Sequence, residues 1–129
     1  MSGIEYFSLT DGPKPVAPYS HAVSVDRWIF VTGQLPIAPD GSMAEGVEEQ
    51  TKCVLENLRL ILETAGASLT GVVMARIYLT NFDAHYERMN AVYKTFFPVD
   101  RLPARTCVGV TRLARGCHIE IDVIATRPS

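Results

Sequence analysis

An α+β fold with two helices covering one face of a single sheet is predicted by three features of this sequence. Between Val47 and Ala65 the apolar residues recur at three- and four-residue steps. A β-branched, apolar run at 72–80 lies between two helical stretches, and the last third of the chain alternates in steps of two.

The elements follow in order. After a proline-rich lead-in (Pro13, Pro15, Pro18), residues 21–34 carry Val23, Val25, Trp28, Ile29, Phe30 and Val31 around Asp26-Arg27, the pattern of two strands joined as a hairpin. Residues 36–46 are loop by composition, with Asp40-Gly41 suited to a tight turn. The first helix, residues 47–65, presents Val47, Val54, Leu58, Ile61, Leu62 and Ala65 on one side and stops at Gly66, where a C-cap glycine belongs. The strand 72–80 is followed by Asn81 and Asp83 as N-caps for a second helix of about 84–96, with Tyr86, Met89, Tyr93 and Phe96 inward and Pro98 at its end. Thr106, Val108 and Val110 then alternate with Arg105, Cys107 and Gly109, as do Ile119, Ile121 and Val123 with His118, Glu120 and Asp122. The expectation is an antiparallel hairpin whose polar face carries Arg105, Cys107, His118, Glu120 and Asp122. A single helical layer cannot shield that face as well, so it meets water or another subunit, and symmetric self-association is the common solution.

Composition narrows the classes. The chain has 129 residues, 47% of them hydrophobic and 20% charged, the balance of one domain spanning residues 1–129. A formal charge of -2 and a pI near 5.9, with no basic stripe, give nucleic-acid binding no electrostatic support. The longest apolar runs fall far short of the roughly 20 residues that span a bilayer, and the first residues do not resemble a secretory leader, so the expected setting is cytoplasmic. Cys53, Cys107 and Cys117 form no CxxC pair and read as reduced thiols.

Several residues have chemical potential. Arg105 presents either a planar fork for a carboxylate or a structural ion pair with Glu120 or Asp122, although in a hairpin centred near Ala114 Glu120 would lie about 13 Å away. The row His118, Glu120, Asp122 is a poor metal site, because same-face neighbours stand about 7 Å apart along a strand. Glu120 alone is suited to orienting water. Cys107 reads as packing or as a nucleophile needing activation, and Ser20-His21 lacks the elbow of a serine hydrolase. Tyr19 sits in a rigid loop where its hydroxyl could close over a ligand, Gly33 permits close backbone approach, and Asn90 caps backbone groups or donates to a ligand.

These residues come together in a resemblance. Ala17-Pro18-Tyr19-Ser20, Val31-Thr32-Gly33-Gln34-Leu35-Pro36, Glu49-Gln50-Thr51, Val54-Leu55-Glu56-Asn57-Leu58, Met89-Asn90-Ala91-Val92-Tyr93, Leu102-Pro103-Ala104-Arg105-Thr106-Cys107-Val108 and Ile119-Glu120-Ile121-Asp122-Val123-Ile124-Ala125 occur in order along nearly the whole chain. In these blocks the sequence resembles the reactive intermediate deaminases, the RidA or YjgF family.

The resemblance implies a chorismate-mutase-like fold with a single mixed β-sheet, assembled as a homotrimer with active sites between subunits. It implies hydrolysis of 2-imino acids and enamines, of the 2-iminobutanoate and 2-iminopropanoate type, to 2-keto acids and ammonia, with no cofactor and no metal. Arg105 would then hold the substrate carboxylate and Glu120 orient or activate water. Gly33 and Cys107 would touch the substrate through their backbones, Tyr19 would close the pocket, and Asn90 would stand near the cleft. Alternatives are deamination of 2-aminomuconate or aminoacrylate, or a regulatory trimer that binds small carboxylates without turnover. The ribonuclease activity attributed to some relatives is disfavoured by the acidic balance. His21, where many relatives have Gln, and the stretch Ala114 to His118 depart from the usual pattern and bear on substrate preference.

Overall fold

The computed structural model describes residues 3–12 and 14–128; Met1, Ser2, Ser129 and Pro13 of the proline-rich lead-in lie outside the described residues. The elements are β1 (Ile4–Phe7), β2 (Ala22–Val25), β3 (Trp28–Gln34), α1 (Val47–Thr64), β4 (Val72–Leu79), α2 (Phe82–Tyr93), β5 (Ala104–Gly109) and β6 (Ile119–Thr126). They build one mixed six-stranded sheet in the order β1-β2-β3-β6-β4-β5, with both helices on one side.

The predicted hairpin forms as β2 and β3, closed by Asp26-Arg27 with Asp26 in the left-handed region at φ 54°. β1, which the sequence reading does not include, adds to the outer edge of β2. It is short and exposed, so no burial pattern announces it.

The two last strands do not form a hairpin. β4 lies between them, antiparallel to β6 and parallel to β5. A parallel neighbour needs a crossover, and α2 supplies it between β4 and β5. The segment 110–118, with a short 3-10 turn at Ala114–Gly116, then passes over β4 to begin β6. At about 4.8 Å per strand this skip is short enough for nine residues.

Alternation along β6 divides the molecule. Ile119, Ile121, Val123 and Ala125 are buried beneath the helices, while Glu120, Asp122, Ile124 and Thr126 line the open face. α1 buries Val54, Leu55, Leu58, Ile61 and Leu62 against β3 and β6, and α2 packs on α1 and β4. Two polar side chains on the same α1 face act as pins. Asn57 Nδ2 donates to the carbonyls of Leu35 (3.2 Å) and Ile37 (2.9 Å). Gln50 bridges the Ala44 carbonyl and the His118 N–H. The open face exposes Ile4, Tyr6, Trp28 and Phe30 around a polar centre.

α1 ends as expected at Gly66, whose φ of 86° lets the Gly66 and Ala67 N–H groups reach the carbonyls of Glu63 and Leu62. α2 begins at Phe82 and gives way at Lys94 to a 3-10 turn. Its N-cap is Asn81, but in a left-handed conformation with no side-chain cap bond, so the backbone turn rather than the amide starts the helix.

Gly66→Ala is expected to lower stability by about 1 kcal/mol, the cost of forcing an L side chain into the left-handed region. Urea unfolding would read this as a lower midpoint at unchanged m-value.

Candidate functional site

Arg105 lies on the helix side of β5, in register with Ala75 of β4, which is itself paired to Val123 of β6. Its neighbours come from one face of α2, at residues 86, 90 and 93. Arg105 Nη1–H donates to Asn90 Oδ1 at 2.7 Å, and Nη2–H donates to Tyr86 Oη at 3.1 Å. The guanidinium carbon stands 4.9 Å from the ring centre of Tyr93, within cation–π range. The expected alternative of an ion pair with Glu120 or Asp122 is overturned. Asp122 instead binds Arg76 Nε at 2.7 Å and the Tyr78 hydroxyl at 3.0 Å, while Arg105 is half-buried with no carboxylate within 4.0 Å among the described residues.

Glu120 lies on the other side. It is paired with Tyr78 on β4, three residues along that strand from the row that holds Arg105, an odd step, so the two side chains project from opposite faces of the sheet. The expectation of one polar face carrying both fails because the inward row of edge strand β5 is filled by a polar side chain that α2 satisfies.

The Glu120 carboxylate rests over Gly33 of β3, at the irregular pairing between Val31 and Gln34. A β-carbon on Gly33 would overlap that carboxylate, so the Glu120 side chain can rest here only while residue 33 is glycine and would have to swing aside for any other residue. Half-burial pushes the Glu120 carboxyl above the ordinary range, and the neighbouring Asp122 charge pushes the same way. Beside Gly33 a small cleft runs under the lead-in loop, lined by Val16, Tyr19, His21, Gln34 and Leu35. Tyr19 Oη accepts from the Val16 N–H at 3.2 Å, which folds the ring onto its own loop. Leu35 and Ile37, the rim of this cleft, are held by Asn57.

The predicted site residues thus assemble as two groups. Gly33 lines the cleft with Tyr19 and carries the Glu120 carboxylate over it, while Arg105 and Asn90 meet beneath α2 with Cys107 on the same side of β5. Cys107 packs against the core, and burial raises its thiol pKa, with Arg105 pulling the other way. His21 is buried and its Nδ1 accepts from the Leu9 N–H at 2.8 Å. That bond explains why Ser20-His21 is no hydrolase pair. His118 leaves the predicted row and stands against His85 of α2, ring centres 4.6 Å apart. Among the described residues no three His, Cys, Asp or Glu side chains gather as a metal site.

Periodicity predicts Tyr86 and Tyr93 only as core residues, whereas both stand against Arg105. Their spacing with Asn90, at four and then three residues, puts all three on one helix stripe and was the available signal.

Residues 9–127 match the model of the family described as Endoribonuclease L-PSP, also called YjgF/RidA. The chain belongs to this family. A RutC family protein of Pyrococcus abyssi is 46% identical over 115 residues, covering 88% of this chain and 89% of the relative. A mouse relative named 2-iminobutanoate/2-iminopropanoate deaminase is 38% identical, covering 98% of this chain and 96% of its own. The crystal structure of Escherichia coli TdcF with bound serine superposes with a TM-score of 0.88 at 29% identity, covering 96% of this chain and 99% of that one. The solved YjgF/RidA structures it resembles share the mixed sheet with two helices. No helix among the described residues is long and apolar enough to cross a membrane.

Carboxylate NMR is expected to find Glu120 titrating above an ordinary glutamate. Asp122→Asn lowers its midpoint only part of the way, since burial is the larger cause. A raised carboxyl pKa stabilises the fold at low pH and loses that contribution as pH rises through the folded value, so Glu120→Gln should melt no lower than wild type at pH 7.

Proposed function

We propose that the protein hydrolyses 2-imino acids and their enamine tautomers, of the 2-iminobutanoate and 2-iminopropanoate type, to 2-keto acids and ammonia. The observation that carries this reading is Arg105, a half-buried guanidinium whose hydrogen-bond partners are neutral. Two N–H donors are engaged, which leaves Nε–H and one N–H on each terminal nitrogen for a carboxylate. A small 2-imino acid brings that carboxylate and an electrophilic carbon next to it. The name of the mouse relative supports the same reaction class, and serine bound to TdcF is a small amino acid with the same carboxylate.

The chemistry asks little beyond placement. Water adds to C2 of the protonated imine, its oxygen forming the new bond as the C=N π pair moves to nitrogen and a water proton passes to a base. The base returns that proton to the nitrogen of the carbinolamine, the C–N bond breaks to release ammonia, and the hydroxyl gives its proton back to the base as the C2 carbonyl of the keto acid forms. Glu120 is the base in this scheme, its raised pKa bringing it nearer to working pH than a solvated glutamate. Gly33 lends backbone beside it, Tyr19 closes the cleft, and Cys107 contributes backbone rather than a thiolate.

Arg105 and Glu120 project from opposite faces of one chain, so a substrate touching both requires a second copy. The proposal takes this assembly as the homotrimer that the family resemblance implies, with Arg105 of one subunit facing Gly33 and Glu120 of the next. The open face, with Tyr6, Trp28 and Phe30 exposed, offers apolar surface for that contact.

The deciding experiment generates 2-aminocrotonate with a threonine dehydratase and measures 2-ketobutyrate formation under semicarbazide competition. Wild type accelerates it, and Arg105→Ala loses at least about 100-fold of that acceleration, the size of two charge-assisted hydrogen bonds. Retained activity in Arg105→Ala, or none in wild type, sinks the reading. Glu120→Gln lowers kcat by about 100-fold or more while leaving keto-acid affinity nearly unchanged. Cys107→Ser keeps most of the activity, and its inactivation with folding intact would reopen covalent catalysis.

A further inference from the structure

Arg105 is held in a way that gives Tyr86 a part the scheme above leaves out. A guanidinium grips a carboxylate bidentately only when one edge of its plane, carrying two N–H groups, is turned to the ligand. With one acceptor on one terminal nitrogen the plane can still pivot about that bond. Arg105 has two, Asn90 Oδ1 on Nη1 at 2.7 Å and Tyr86 Oη on Nη2 at 3.1 Å, and they belong to one rigid helix a turn apart.

Tyr86 is itself fixed. Its ring stacks on Phe82 at 4.7 Å with an interplanar angle of 20°. Phe82 approaches β5 at Gly109, where an added β-carbon would stand only 3.3 Å from the Phe82 Cβ. The chain β5–Phe82–Tyr86–Arg105 therefore begins and ends on the same strand. Tyr93 differs: its ring lies under the guanidinium, but its buried hydroxyl has no hydrogen-bond partner among the described residues, so it contributes only a face.

We propose that Tyr86 is a positioning residue for carboxylate binding, its hydroxyl locking the Arg105 plane so that an edge with two free N–H groups stays fixed for the ligand. This rests on the reading of Arg105 as the carboxylate anchor. Phenylalanine keeps the stack on Phe82 and removes only the acceptor.

The test titrates 2-oxobutyrate, the keto-acid product, into wild type, Tyr86→Phe and Arg105→Ala, with NMR of the Arg105 side-chain nitrogens alongside. Tyr86→Phe should weaken binding about fivefold, the size of one net hydrogen bond, and raise KM with little change in kcat. Its melting temperature stays near wild type, while the Arg105 Nη signals, resolved in wild type, broaden or merge as the group begins to rotate. Unchanged affinity in Tyr86→Phe overturns the proposal, as does weaker binding with the Arg105 signals unaltered. If Arg105→Ala binds as tightly as wild type, or wild type does not bind, the anchor itself is wrong and the role of Tyr86 falls with it.

Discussion

The double pairing of β6, with β3 on one side and β4 on the other, is the constraint on which the molecule rests. A central strand must satisfy both edges and both faces, and Ile119 to Thr126 does so by strict alternation. Its apolar row receives the α1 stripe and makes the core. Its polar row puts Glu120 beside Gly33 and Asp122 beside Arg76. Because β4 occupies the second edge of β6, β5 is pushed to the sheet margin, and Arg105 comes to lie beneath α2 rather than beside Glu120.

Much of this was legible from residue order. The α1 stripe with its Gly66 stop and the Asp26-Arg27 hairpin appear where local rules put them, because each is decided within a few residues. The pairing of β5 with β6 was not. Alternation tells that a strand has two faces, never which strand stands next to it, and a short connection suggested a hairpin where the chain steps over β4. The same limit misplaced Arg105. Thr106 and Val108 look like the inward row until α2 supplies an amide and a phenol for the arginine, and both then prove exposed. Asn57 and Gln50 lie in blocks that carry the resemblance, and their clamps on the 35–44 loop give a physical reason for their place on a buried helix face.

Charge is sorted by partner. Asp122 is quenched by Arg76 and Tyr78, and Glu48 by the fork of Arg88, which draws its carboxyl down to about 2. Arg105 and Glu120 are treated otherwise: both are half-buried, the first meets neutral groups and the second a like charge. Half-buried ionisable groups kept without an opposite charge are better candidates for a functional site than paired ones.

The absent side chain at Gly33 reaches beyond this one molecule. The space it leaves is occupied by the Glu120 carboxylate, so the two positions are halves of one steric object contributed by neighbouring strands. A lineage that shortened residue 120 would release residue 33 to acquire a side chain, and one that kept the glutamate would have to swing its carboxylate out of this space. Drift at these two places should therefore be correlated, and a bulky residue at 33 would by itself betray a descendant whose carboxylate is either lost or displaced from this position.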